Sequence, residues 1–590
     1  MEQLQEERRQ GSRGTKTLVL MAVVLLLTGG LISRLSYLQL WEGPNYRERA
    51  EKNRIRPWYR APARGEILDR KGRILASHRQ VYSLYLEPSD NRKEDWPRVL
   101  EILAPHVKFS VAEMQEKLDK TGYHSPYPVL ILPDIDPQLI TLIREYQNQL
   151  PGVEVVVDSA RYYPHGAIAS QIIGYTGEIS EKELNRRKAL DQNYRPGDLV
   201  GKLGVEALFE EDLHGTWGGE LREVNAAGQK IRDLGKIDPK PGQPIKLTLD
   251  IELQKAAEAV LGTRRGAVVA LDVNTGEILV MASHPGFDPN LFTRRITKDE
   301  WVALQGLDHP FLNRAVRPYA PASTFKIVVT AAALESGRFS PQTRLNTFGA
   351  YRVGNRFFKE HNGRGWGVVG FEKALAVSAD TFFYQVGLKL GPDPIASMGR
   401  NFGFSQRTAL DLPSESPGLM PTEDWKKATF RDYWRAGDSA NFAIGQGYAL
   451  VTPLQNALMI AAIANGGQLV TPRLRQDTPV VHQPVPVQPK TLDVIRRGLR
   501  AVTAPGGTAY RVLGGAGMVP NAGKTGTAED YNSHRTNAVF VGYAPLDHPQ
   551  IAVSVMVEQG GHGGSDAAPV AAEIYKHYFA QKGDAVPSQK

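Results

Sequence analysis

A chain of 590 residues with 42% hydrophobic content is long enough to bury large cores in two or more domains. Its net charge of +8 comes from 71 basic and 63 acidic residues. They are interspersed, with none of the aromatic-interleaved basic stripe of a nucleic-acid surface, so no nucleic-acid partner is expected. The absence of cysteine excludes disulfides, a thiol nucleophile and any cysteine-ligated metal.

At the N-terminus, Arg8, Arg9, Arg13 and Lys16 precede an apolar run from Thr17 to Ile32, and residues 35–40 continue a mostly apolar helix. Basic residues ahead of such a run orient it with the N-terminus in the cytoplasm. The uninterrupted stretch is slightly shorter than the ~20 residues of a bilayer core, and Arg34 can snorkel. Thr28-Gly29-Gly30 would suit a cleaved signal, but no Ala-x-Ala site follows. The expectation is a cytoplasmic tail over 1–16 and a retained single-pass anchor in membrane lipid over 17–40. The rest lies on the periplasmic or extracellular side of the cytoplasmic membrane, and the mild basicity suits an anionic surface or polymer.

Residues 41–245 are rich in charge, proline and short β-like runs. Residues 64–76 read as a hairpin around Asp69-Arg70-Lys71-Gly72, and 108–149 as largely helical and polar. Lys120-Thr121-Gly122 reads as the end of one such helix, with Gly122 its stop. No catalytic constellation is visible here, which suggests a spacer or docking module. A loop at Pro241-Gly242-Gln243-Pro244 marks the boundary to a second exported domain, 246–582, and 583–590 read as a loose tail.

In that second domain, Lys246–Asp250 introduces a helix from Ile251, and β-like segments follow at 266–272 and 277–283. Ser323 and Lys326 then form the only Ser-x-x-Lys of the chain. Three-residue spacing on a helix stacks two side chains on one face, so the amine can serve the hydroxyl, a poor nucleophile without a base. The apolar run Ile327–Leu334 predicts a buried helix, and burial favours a neutral, proton-accepting Lys326. Ser378-Ala379-Asp380 follows, ahead of an aromatic run on an apparent helix. Ser439-Ala440-Asn441, ahead of the turn Ile444-Gly445-Gln446-Gly447, is a competing Ser-x-Asn whose hydroxyl reads as a loop group making local turn bonds. Finally Lys524-Thr525-Gly526-Thr527 precedes two runs, 538–541 and 551–557, that read as neighbouring strands. A strand edge beside a nucleophilic helix can accept a substrate backbone as an extra strand. Strands at both ends with helices between predict an α/β sandwich.

The ordered set Ser323-x-x-Lys326, Ser378-x-Asp380 and Lys524-Thr525-Gly526 is that of penicillin-binding proteins and class A β-lactamases. With Arg64-Gly65, Asp69-Arg70, Gly72, Gly201–Glu206, Ala282–Asn290, Gly445-Gln446-Gly447, Thr452-Pro453 and Gly542–Pro545, most of the chain resembles a class B high-molecular-mass penicillin-binding protein. Ser-x-Asp and Met420–Lys426 most resemble its penicillin-binding protein 2 (elongation) branch; the septal branch usually carries Ser-x-Asn. The preference for Ser378 over Ser439 draws partly on this resemblance. No glycosyltransferase signature is visible in the first 240 residues. The chain departs from the family pattern in Ala322 where Gly is usual and in Val539 where Trp is frequent. Some relatives hold zinc near the second motif through acids, His and Cys. Without Cys, and with only His361 in 351–370, neither a metal site nor a cofactor is expected.

The resemblance implies an α/β (α+β) multidomain protein: one transmembrane helix, a β-rich pedestal and a transpeptidase domain with an antiparallel sheet flanked by helices. It implies acyl transfer from D-Ala-D-Ala stem peptides. Ser323 is then nucleophile, Lys326 its base and Ser378 a proton relay, with Asp380 and Lys524 setting the field. Thr525, Gly526 and Thr527 form the strand that binds the terminal carboxylate, and the backbone N–H groups of Ser323 and Thr527 the oxyanion hole. β-Lactams would acylate Ser323, and the pedestal would dock a SEDS-type glycosyltransferase and scaffold proteins of the elongation machinery. The competing functions are a septal-type enzyme, a D,D-carboxypeptidase or β-lactamase-like hydrolase, and a β-lactam-binding scaffold that activates a glycosyltransferase.

Overall fold

The structure is a computed structural model. It describes residues 2–107, 109–123, 125, 127–190, 192, 194–224, 230–529 and 535–583. The expected loose tail therefore falls outside the described residues from 584 onward; Gly583, in left-handed conformation, ends the last helix.

Two compact units emerge, and the chain passes between them several times. Residues up to Ala61, Tyr82–Val156 and Trp217–Lys240 form one; Pro62–Val81, Val157–Thr216 and Pro241 onward form the other.

In the first unit, a helix runs from Glu2 to Ser36 and continues as a π-helical turn over Tyr37–Trp41. Leu18–Trp41 within it, 24 residues, is long and apolar enough to cross a membrane, and none of it is buried in the protein. The one hydroxyl in its centre, Thr28, donates back to Val24 O at 2.7 Å. The same unit holds a three-stranded antiparallel sheet of Ile55–Arg60, Gly218–Val224 and Lys230–Ile237. It also has a small core of Trp96, Leu100, Leu103, Met114 and Leu118. The stretch expected to be helical over 108–149 is mixed. Helices Val111–Thr121 and Pro137–Glu145 flank a strand, Val129–Leu132, whose alternating burial marks it as a sheet element. Gly122 does end the first helix, its N–H donating to Leu118 O at 2.8 Å, so Lys120-Thr121-Gly122 is a solvent-side helix end.

The second unit is built on one sheet. In chain order its main elements are α1 (Ile251–Leu261), β1 (Gly266–Asp272), β2 (Ile278–His284), α2 (Lys326–Glu335), α3 (Asp380–Leu390), α4 (Ala436–Ala443), α5 (Pro453–Ala464), β3 (Ala522–Glu529), β4 (Thr536–Ala544), β5 (Ile551–Val557) and α6 (Ala568–Lys582). The strands pair antiparallel in the order β2-β1-β5-β4-β3, leaving β3 at an edge. Helices cover both faces, which explains why the strands read as unbroken apolar runs instead of alternating ones. Along β1, Ala267, Val269 and Leu271 join the core containing α2 and α5, whereas Val268 and Ala270 join the core containing α1 and α6. Every residue of α5 is buried, as expected of a helix apolar all round.

The hairpin predicted around Asp69 is present: Ile67–Leu68 pairs antiparallel with Ile74–Ala76. Arg64, beside it, lies in a buried ion network. Its Nε donates to Glu206 Oε2 at 2.6 Å and its guanidinium also reaches Glu210 at 2.7 Å, while Arg161 holds the other Glu206 oxygen at 2.7 Å. Removing one partner of such a network would strand a buried charge.

Candidate active site

Ser323 sits in a 3₁₀ turn, Ala322–Phe325, that runs into α2, so it lies at the helix N-terminus, half-exposed, with Lys326 fully buried one turn on. Two close approaches hold that turn. Ala322 N–H donates to Gly445 O at 2.9 Å, and a Cβ on Gly445 would stand 2.2 Å from Ala322 O. The turn Ile444–Gly447 is therefore glycine-bearing because it packs on the backbone of the Ser323 turn. On the other side, a Cβ on Gly526 of β3 would come 3.1 Å from Ala322 Cβ and 3.4 Å from Ser323 N. Ala322 itself takes φ +52°, left-handed and buried, so alanine is accommodated in the turn.

The second motif stands ahead of its helix, as the sequence suggests. Ser378 is in the turn ahead of α3, at φ +58°, with Ala379 the N-cap and Asp380 the first helical residue. A non-glycine residue held left-handed costs about 1–2 kcal/mol, a strain that clusters at functional sites. Its place is set by Lys326, whose Nζ donates to Ser378 O (2.8 Å), Ser378 Oγ (3.2 Å) and Asp380 Oδ1 (2.5 Å). Lys326 is thus buried against an ion-pair partner, and its hydrogen bonds run to the second motif.

Lys524 closes the cluster from β3. It is fully buried, and its Nζ donates to Ser378 Oγ at 2.9 Å and to Thr525 O at 2.9 Å. Burial, then the charge of Lys326, pull its pKa well below the ordinary lysine range, with Asp380 opposing. The Ser378 hydroxyl therefore bridges two amines, one paired with a carboxylate and one inclined to lose its proton. Thr525 and Thr527 alternate with Lys524 and Gly526 along β3. The Thr525 hydroxyl is 2.7 Å from that of Thr508; Thr527 Oγ1 accepts from Gly563 N–H at 3.3 Å, and its carbonyl accepts from Gln446 Nε2 at 3.3 Å.

Ser439 is not in a loop. It lies on α4, buried, accepting a hydrogen bond from Trp434 Nε1 at 2.8 Å, which is a packing role. Two contributors had no local signal. Thr508 reaches Thr525 from a separate turn. Glu558, past the end of β5, accepts from the Tyr319 hydroxyl (2.8 Å) and Arg314 Nε (3.0 Å), fixing the approach to Ser323. Their partners lie 17 and more than 200 residues away, beyond any spacing rule.

Among the described residues, Glu360, His361 and Asp380 form the one group of three possible metal ligands, their donor atoms within 4.8 Å of one another. The carboxylate lone pairs are largely taken. Asp380 Oδ1 holds Lys326, and Glu360 accepts from Asp380 N, Thr381 N, Thr381 Oγ1 and His361 Nδ1 at 2.9–3.0 Å. With one imidazole and acids already occupied by protein donors, the donor set does not fit a four-coordinate zinc.

Family models for a penicillin-binding protein transpeptidase domain and a penicillin-binding protein dimerisation domain match residues 266–576 and 59–247. The peptidoglycan D,D-transpeptidase MrdA of Acinetobacter baumannii is 35% identical over 98% of this chain and 89% of its own length. Among solved structures, a chain of the complex between penicillin-binding protein PBP2 and MreC from Helicobacter pylori is similar with a TM-score of 0.80 and 30% identity, covering 90% of this chain and 99% of its own. A chain of a peptidoglycan synthase complex, in work on the coordination of polymerization and crosslinking, gives a TM-score of 0.71 at 31% identity, over 96% and 98%.

Proposed function

The chain belongs to the penicillin-binding protein transpeptidases, and we propose that Ser323 is the nucleophile of its peptidoglycan D,D-transpeptidase reaction. The observation that carries the assignment is the Ser378 hydroxyl held between Lys326 Nζ at 3.2 Å and Lys524 Nζ at 2.9 Å, beside the Ser323 turn. Serine needs a base, and the leaving amine needs a proton; this cluster supplies a route for both.

Ser323 Oγ attacks the carbonyl carbon of the penultimate D-alanine, and Lys326, once neutral, takes its proton. The backbone N–H groups of Ser323 and Thr527 stabilise the oxyanion, a contribution of about 10²–10³ in rate per donor. The C–N bond breaks, the leaving amine receives a proton through Ser378, and terminal D-alanine departs. An amine of a neighbouring stem peptide then attacks the Ser323 ester, forming the crosslink and returning the proton to Ser323. Asp380 compensates the charge of Lys326, and Lys524 with Thr525, Gly526 and Thr527 receives the donor's carboxylate along the open edge of β3.

The branch is the elongation-type one, the sense in which the MrdA and PBP2 likenesses point. We further assign residues 41–245 to a docking module and 246–582 to the transpeptidase domain, with the N-terminal helix as an anchor whose short tail faces the cytoplasm. The docking partners are a SEDS-type polymerase and its scaffold proteins, a reading supported by the PBP2–MreC and synthase-complex likenesses.

The test is intact-mass analysis of the detergent-solubilised full chain after benzylpenicillin. One adduct is expected in the wild type and in Ser439→Ala, and none in Ser323→Ala. An adduct that survives Ser323→Ala removes Ser323 as nucleophile.

A further inference from the structure

Glu360 lies in the turn just after the strand Arg356–Lys359, its backbone N–H donating to Gly349 O at 2.9 Å. Its side chain is fully buried, yet it carries a carboxylate. Each oxygen accepts two hydrogen bonds. Oε1 takes Asp380 N at 2.9 Å and His361 Nδ1 at 3.0 Å; Oε2 takes Thr381 N and Thr381 Oγ1, both at 2.9 Å. The backbone donors are the first two N–H groups of α3, which no intrahelical carbonyl can satisfy. The residue in the N-cap position is Ala379, which has no side-chain acceptor, and no local cap bond is made. The helix that carries the second motif is therefore capped from twenty residues upstream, by a charged group placed where the helix dipole favours an anion.

This cap sits directly behind the reacting groups. Asp380, whose N–H it holds, places Oδ1 2.5 Å from Lys326 Nζ. Two residues before Asp380, Ser378 is held at a left-handed φ of +58°, a conformation that a serine leaves unless its surroundings enforce it. We propose that Glu360 is a positioning residue for acyl transfer, whose carboxylate pins the start of α3 and so fixes Ser378 and Asp380 against Lys326 and Lys524. The inference rests on the assignment of Ser323 and its partners above. Glu360 touches no reacting atom; it acts through the backbone of Asp380 and Thr381.

The experiment is acylation of full-length Glu360→Gln by a fluorescent penicillin, resolved into the burst amplitude, the dissociation constant of the encounter complex and the first-order acylation constant. Glutamine keeps the volume but turns two of the four acceptor positions into a donor group facing donors. The expected result is full amplitude, an unchanged encounter constant and an acylation constant lower by about tenfold to a hundredfold, the cost of a misplaced reacting group. A variant that is merely destabilised would lose amplitude while its folded fraction kept the wild-type constant, and that outcome overturns the proposal. Should Glu360→Gln not fold, Thr381→Val decides, since it removes one of the four donors: a several-fold slower acylation constant supports the cap, and a wild-type constant rejects it. Wild type measured alongside separates the two claims. If it forms no Ser323 adduct, the acyl-transfer assignment falls and takes the proposal with it; if it does and both variants match it, the proposal alone falls.

Discussion

At the scale of single residues, the site turns on how two lysines share one carboxylate. Lys326 has the Asp380 oxygen and Lys524 does not, so burial and the charge of Lys326 outweigh the pull of Asp380 on Lys524 and its proton is loosely held. Replacing Lys524 with alanine removes one of the two amines on Ser378 and leaves the Lys326–Asp380 pair intact. Acylation by penicillin should then slow by about a hundredfold or more, as read by stopped-flow fluorescence. Lys524→Arg should not rescue it, because a planar guanidinium that holds its charge cannot replace a compact, fully buried amine. Restoration of the wild-type rate by arginine would refute the role given to the amine. The place of Lys326 one turn after Ser323 was legible from spacing alone; its grip on Ser378 was not, because that bond spans 52 residues.

Secondary-structure elements carry a different kind of sensitivity. Glu258 on α1 accepts from Ala169 N–H at 2.8 Å and from Gln254 Nε2 at 2.9 Å, but burial outweighs both and pushes its carboxyl up from 4.5 to about 7. The folded protein then holds this proton more tightly than the unfolded chain, so the contribution to stability falls as pH rises from 4.5 to about 7 and stays lost above it. Glu258→Gln keeps the acceptor and removes the charge. It should be more stable than wild type near pH 8, by a free energy on the order of 1–3 kcal/mol, and so melt at a higher temperature, with the two curves meeting below pH ~5; parallel melts at both pH values check it. The elements themselves were largely readable. The apolar runs at 266–272 and 551–557 read as strands, and the runs at 538–541 and 551–557 are neighbours as their order suggested. Ser378 was read correctly as preceding a helix, but its left-handed φ had no sequence signal; Ser439 was misread as a loop because a glycine-bearing turn follows it so closely.

For the molecule as a whole, the N-terminal helix is a candidate membrane span. Leu18–Trp41 exposes its apolar side chains all round, which water would not tolerate. The full chain should stay with membranes through high salt and alkaline carbonate and come off in detergent, whereas a variant lacking residues 1–41 should be released; fractionation with immunoblotting reads both. Release by salt alone would mean surface attachment. The exchange of segments between the two compact units was not foreseeable, since residues 62–81 and 157–216 carry no compositional mark of the unit they join. Glycines at 445 and 526 stood out only as motif letters, and the structure shows them as the two walls that touch the Ser323 turn. That contact has an evolutionary corollary. Where backbone meets backbone at 2.2 Å from a would-be methyl group, selection by an antibiotic has no room to thicken the wall against the drug. Any side chain added at 445 would have to displace the Ser323 turn before it could narrow the cleft, so this wall cannot be altered without disturbing the turn that carries Ser323.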